Sequence, residues 1–183
     1  MNRSIPSVPD RAAQARALCA QAAWPAVLQL AQAWQAEEPA EAKALFYQGV
    51  ALAALGRSVE AEISYRAALK LDATDFKTWN NLATLLFDVL NRPTEAVQCL
   101  AQALKLEPQN ALGWSNLASL NGQLDRHADA LACAERALAL DPQLVAAQLH
   151  RARAAQALGK TEIVRAASET LAKLPPEKFQ RAR

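Results

Sequence analysis

The sequence predicts an all-α chain built as a solenoid of antiparallel helix pairs, and three observations carry that expectation. The first is repetition. Lys77–Pro108 reads KTWNNLATLLFDVLNRPTEAVQCLAQALKLEP, and its pattern returns as LGWSNLASLNGQLDRHADALACAERALALDP. Trp79 recurs as Trp114, Leu82 as Leu117, Ala83 as Ala118, Ala96 as Ala130, Ala103 as Ala137 and Pro108 as Pro142. Self-similarity at such a period marks stacked helical pairs, each too small to bury its apolar face alone. The second is composition: 52% of the residues are hydrophobic and only 5 are Gly. Much of that apolar fraction is Ala, the residue that loses least on entering a helix. The third is punctuation, with Pro39, Ala73, Pro108 and Pro142 at corresponding ends of successive pairs.

Taken in order, residues 1–9 hold two prolines without a helical period and are expected to form a flexible lead. Asp10 has the character of an N-cap before RAAQARALCAQAA. Pro25 suits the first turn of the next helix, where its missing N–H does little harm. This opening pair, 10–41, lacks Trp-x-x-Leu-Ala and reads as a degenerate terminal repeat with one polar face. Regular pairs follow over 42–75, 76–110, 111–144 and 145–178, giving about five in one solenoid domain, with 179–183 as a tail. In the first of these a break at Gly56-Arg57-Ser58 separates the two helices. Trp79 and Trp114 are 35 residues apart but Pro108 and Pro142 only 34, which places one inserted residue near Asn91-Arg92-Pro93. The last pair has Gln148 at the Trp position and Arg151 where Leu82 and Leu117 stand. Its second helix is expected to leave Ile163, Val164, Ala167 and Leu171 partly open, as a surface for a partner or a second copy, or else to fray.

Net charge of +2 supplies no long-range field toward nucleic acid or anionic membrane. No Arg/Lys stripe with interleaved aromatics appears, so no nucleic-acid partner is expected. The N-terminus is broken by Arg11, Gln14, Arg16 and Gln21, which fits neither a signal peptide nor a membrane anchor. Three cysteines, Cys19, Cys99 and Cys133, with no CxxC argue against a disulfide framework and a zinc site. A cytoplasmic location without metal or cofactor is the expectation. Catalysis needs convergent groups. His127 and His150 belong to different repeats, His127 reading as a solvated turn residue, and no HExxH or phosphate loop is present. The chain is expected not to be an enzyme.

The spacing W-x-x-L-A, an Ala opening the second helix, another Ala seven residues on and a closing Pro resembles the tetratricopeptide repeat family, strongly over Ala42–Lys178 and weakly over Pro9–Glu41. The resemblance implies a right-handed superhelix whose first helices line a concave groove that binds an extended peptide or partner helix. Mapped residue by residue, that groove would be lined by Lys43, Phe46, Tyr47 and Val50. Lys77, Asn80, Asn81, Thr84, Phe87 and Asp88 would continue it, followed by Leu112, Ser115, Asn116, Ser119 and Gln123, then Leu149, His150, Arg153 and Gln156.

Asn81 and Asn116 each lie two residues after a Trp, and a carboxamide can both donate to and accept from a peptide backbone. The pair resembles the asparagine ladder of O-linked N-acetylglucosamine transferases and peroxisomal import receptors, although Asn at this place is also common repeat consensus. The carboxylate clamp of heat-shock co-chaperones does not fit: in either register only one Asn matches. His150 and Arg153 remain able to attract an acidic residue. The functional expectation is an adaptor binding a protein or peptide. The alternatives are a scaffold that self-associates through its C-terminal repeat or another surface, and an accessory subunit that delivers substrates to an enzyme.

Overall fold

The computed structural model describes residues 10–173; the lead at 1–9, Pro176 and the tail at 179–183 lie outside them. The fold is all-α, with ten helices among the described residues. They are α1 (Arg11–Ala20), α2 (Trp24–Glu37), α3 (Ala42–Ala54), α4 (Ser58–Leu71), α5 (Phe76–Asp88), α6 (Pro93–Leu106), α7 (Ala111–Gln123), α8 (His127–Leu140), α9 (Val145–Ala157) and α10 (Thr161–Ala172). The chain forms two compact units that divide between Leu85 and Leu86, within α5.

The helix boundaries follow from local chemistry. The Asp10 carboxylate accepts from the Ala13 N–H at 3.0 Å, and the Asn110 side chain accepts from Gly113 N–H at 2.9 Å. Each satisfies a donor that the first turn leaves without a partner. Pro25 and Pro93 occupy first-turn positions. The first helix of every pair ends in the same way. A residue with positive φ, in turn Ala22, Gly56, Asn91, Asp125 and Gly159, is followed by one whose N–H closes back on the helix. The acceptors are the carbonyls of Leu18, Leu52, Leu86, Asn121 and Ala155, at 2.7–3.0 Å. This is the left-handed Schellman termination. The residue inserted near Asn91 is absorbed there: Arg92 N–H reaches Leu86 O, the acceptor corresponding to Leu52, Asn121 and Ala155, across a loop longer by one.

In the first unit α3 packs against α1, α2 and α4. Val27, Ala44, Leu52 and Ala61 are all but inaccessible. Gly49 gives Tyr65 room, since a Cβ there would lie 2.6 Å from ring atoms of Tyr65. Arg11 bonds Glu38 at 2.8 Å and also pairs with Glu37, tying α1 to the end of α2. The Trp79 indole N–H donates to Ala73 O at 2.9 Å.

In the second unit α7 packs against α6, α8 and α9, and α10 against α9. Trp114 repeats the staple by donating to Pro108 O at 2.9 Å. Both tryptophans therefore fasten a first helix to the turn before it. Ile163 and Val164 pack against Ala130, Leu131, Ala154 and Ala155, and Ala167 is fully buried. Of the stripe expected to stand partly open, Ala167 is thus covered, while Ile163, Val164 and Leu171 are half-buried. Gln148, at the Trp position, is also buried, and its Oε1 has no partner among the described residues.

Candidate functional site

Of the residues expected to line a groove, Lys43, Phe46, Tyr47 and Lys77 border a cleft in the first unit, and Ser119, Gln123, His150 and Arg153 border another in the second; Asn80, Asn81, Thr84, Phe87 and Asn116 line neither. The first holds about 380 Å³ and is bounded by Lys43, Phe46 and Tyr47 of α3, by Phe76, Lys77 and Thr78 of α5, by Ala12 and Arg16 of α1, and by Ala68, Asp72, Thr74 and Asp75 at the end of α4 and in the following turn. Its floor is aromatic. Phe46 meets Tyr47 edge-on at 5.1 Å between centroids, and Tyr65 lies 6.3 Å from Phe46. Tyr47 O–H donates to Ala12 O at 3.3 Å, and burial pushes its hydroxyl above the usual range, with nearby Arg16 opposing.

The charges at this cleft are unequally committed. Asp72 accepts from the Thr74 hydroxyl at 2.6 Å and the Thr74 N–H at 2.9 Å, and those bonds hold its carboxyl below the usual range. Asp75 accepts from the Thr78 hydroxyl and the Lys77 N–H. Both carboxylates are therefore engaged by their own turn. The cationic side chains are held less: Arg16 has Asp10 at 3.8 Å, and the Lys77 ammonium lies 5.9 Å from the Phe76 ring centroid.

The second cleft, of about 170 Å³, lies among Ser119, Gln123, His127, His150 and Arg153, with Ala118, Gly122, Ala130 and Ala154 as its apolar base. His127 corrects the sequence reading. It is the first residue of α8, and its imidazole lines the same cleft as His150. Burial, with Arg153 adding to it, holds the His150 imidazole below the usual histidine range. His127 Nε2 has Asp125 at 3.7 Å.

Two further expectations are corrected. Ser115 is 1% exposed and its Oγ has no partner among the described residues, so it does not reach the surface. The reason is that α7 has three helical neighbours, which cover more of its circumference than one hairpin partner would. Tyr47 is buried for the same reason, α1 lying against α3, and contributes to the cleft floor rather than to an open face. Asn116 and Thr84 are exposed, while Asn80, Asn81 and Phe87 are half-buried. Burial pushes the Tyr65 hydroxyl far above its usual range, with the nearby Asn81 carboxamide opposing. Sequence reasoning missed Arg16, Phe76 and His127. The repeat register could have found His127, because the start of a second helix necessarily adjoins the end of the first. Nothing comparable marked Arg16, whose helix carries no signature.

Short helical hairpins in series, with first-helix side chains gathered around open clefts, define an α-solenoid interaction scaffold. The chain belongs to the tetratricopeptide repeat family: family models described as tetratricopeptide repeat match residues 42–75 and 81–145. Solved structures of similar fold include MamA from Desulfovibrio magneticus RS-1, at 18% identity over 97% of this chain and 99% of that one, with a TM-score of 0.74. PilF of Pseudomonas aeruginosa is 20% identical over 89% of this chain and 74% of its own, with a TM-score of 0.80. YrrB, a TPR protein with an unusual peptide-binding site, is 15% identical over 92% and 87%, with a TM-score of 0.77. No curated protein sequence matched the chain. Among the described residues no helix is long and apolar enough to cross a membrane.

Proposed function

We propose that the protein is a non-catalytic adaptor that captures a segment of another protein, with the first-unit cleft as its main receptor. The observation that carries this reading is the aromatic floor of Phe46, Tyr47 and Phe76 beneath a rim of Arg16, Lys43 and Lys77. An apolar side chain would fill the floor, and an acidic neighbour would meet the rim, whose own carboxylates are already engaged. Interface energy concentrates in such aromatic and cationic anchors. The half-buried Asn81 carboxamide of the same unit would hold a peptide unit of the bound segment. The repeat family supports protein binding in general, and the peptide-binding site of YrrB supports a peptide as the ligand.

The test is capture from source-cell lysate by wild-type protein and by a Phe46→Ala/Lys77→Glu variant, read by mass spectrometry. A partner retained by the wild type and lost by the variant, with helicity unchanged by circular dichroism, supports the cleft. Equal capture by both would overturn it.

A further inference from the structure

The second-unit cleft has a chemistry of its own. Its polar lining consists of Ser119 and Gln123 from α7, His127 from α8, and His150 and Arg153 from α9. These bring one permanent positive charge, two imidazoles, an amide and a hydroxyl around about 170 Å³. Such a set is rich in donors and carries a single full charge.

We propose that this cleft is a receptor for one carboxylate, held by the Arg153 guanidinium and by donors from the two imidazoles. A planar guanidinium matches a carboxylate with two parallel hydrogen bonds. The lone full charge suits a monoanion better than a phosphate dianion. A metal ion is disfavoured by the guanidinium, and among the described residues no group of three His, Cys, Asp or Glu is placed to hold one. The proposal deepens the adaptor reading and rests on it only for the source of the carboxylate, an acidic side chain of a bound segment as against a free organic acid.

A pH dependence follows from the groups facing His150. Those from α7 are uncharged, α8 supplies His127 with Asp125 beyond it at 3.7 Å, α9 supplies Arg153, and no residue of α10 lines the cleft. Burial and Arg153 keep His150 neutral near pH 7. An arriving carboxylate would offset Arg153 and favour the protonated imidazole, so binding takes up a proton and tightens as pH falls.

The experiment follows the side-chain ¹⁵N signals of both imidazoles while adding acetyl-Ala-Glu-Ala-amide, its neutral Gln isostere, butyrate or inorganic phosphate. The Glu peptide is expected to shift both imidazoles saturably, and more strongly at lower pH; the Gln peptide is expected not to. Arg153→Gln, at an exposed position, should weaken binding about tenfold to a hundredfold, and His150→Gln should flatten the pH dependence. Tighter binding of the peptide than of butyrate assigns the source to a protein segment, and the reverse order to a free acid; both outcomes uphold the carboxylate. Equal response to the Gln peptide, undiminished binding by Arg153→Gln, preference for phosphate, or no response to either carboxylate would each overturn the proposal. Butyrate binding is independent of any partner captured from lysate, so failure here is distinguishable from failure of the adaptor reading.

Discussion

Gly49 shows how tightly single positions are fixed. Corresponding places in other repeats hold Ala83, Ala118 and Ala152, so the sequence shows only that a small residue is wanted. Tyr65, 2% exposed and 2.6 Å from where a Cβ would stand, is what requires glycine here. A ring so enclosed cannot yield without displacing the core, so Gly49→Ala should destabilise the protein by about 1–3 kcal/mol, measured by urea denaturation. Adding Tyr65→Leu should recover part of the loss, since the clash rather than helix propensity causes it. His150 gives a second prediction at this scale. Its folded imidazole titrates below its unfolded value near 6.5, so on acidification the unfolded chain takes up the proton first. The corresponding stability is present above that value and lost as pH falls through the folded one. Thermal melts from neutral pH to about pH 5 should show a decline that His150→Gln reduces.

The five closing turns make a controlled series at the scale of elements. Each needs one residue in the left-handed region, and the sequence supplies glycine at two of them, Gly56 and Gly159, but Ala22, Asn91 and Asp125 at the others. Asn and Asp tolerate that region through local hydrogen bonding, whereas Ala has no such help. Relieving Ala22 with glycine removes about 1–2 kcal/mol of backbone strain. It gives back about 0.4–1 kcal/mol through the freer unfolded chain. Ala22→Gly should therefore stabilise the protein by about 0.5–1 kcal/mol. Gly159→Ala should do the opposite, and because no atom lies within 4 Å of its added Cβ, the loss would be backbone strain alone. Paired urea melts check both signs.

For the molecule as a whole, the helix pairs were legible because repetition restates each boundary several times, down to the extra residue before Pro93. The clefts were less legible. A position in the repeat says which way a side chain leaves its helix, but not how many other helices reach it; that is why Ser115 and Tyr47 are buried and why His127 joins His150. The same distinction bears on what holds the chain together. Its inaccessible interior is largely Ala and Leu. Arg57–Glu60 and Arg165–Glu162, by contrast, are solvent-exposed pairs within a single turn of helix, a type that water screens and that contributes little to stability. Raising NaCl from about 0.05 to about 0.5 M shortens the screening length severalfold. If burial carries the stability, Tm should move by less than about 3 °C across that range in circular-dichroism melts. A much larger fall would assign a substantial share of the stability to ion pairs such as Arg11 with Glu37 and Glu38, which join separate helices.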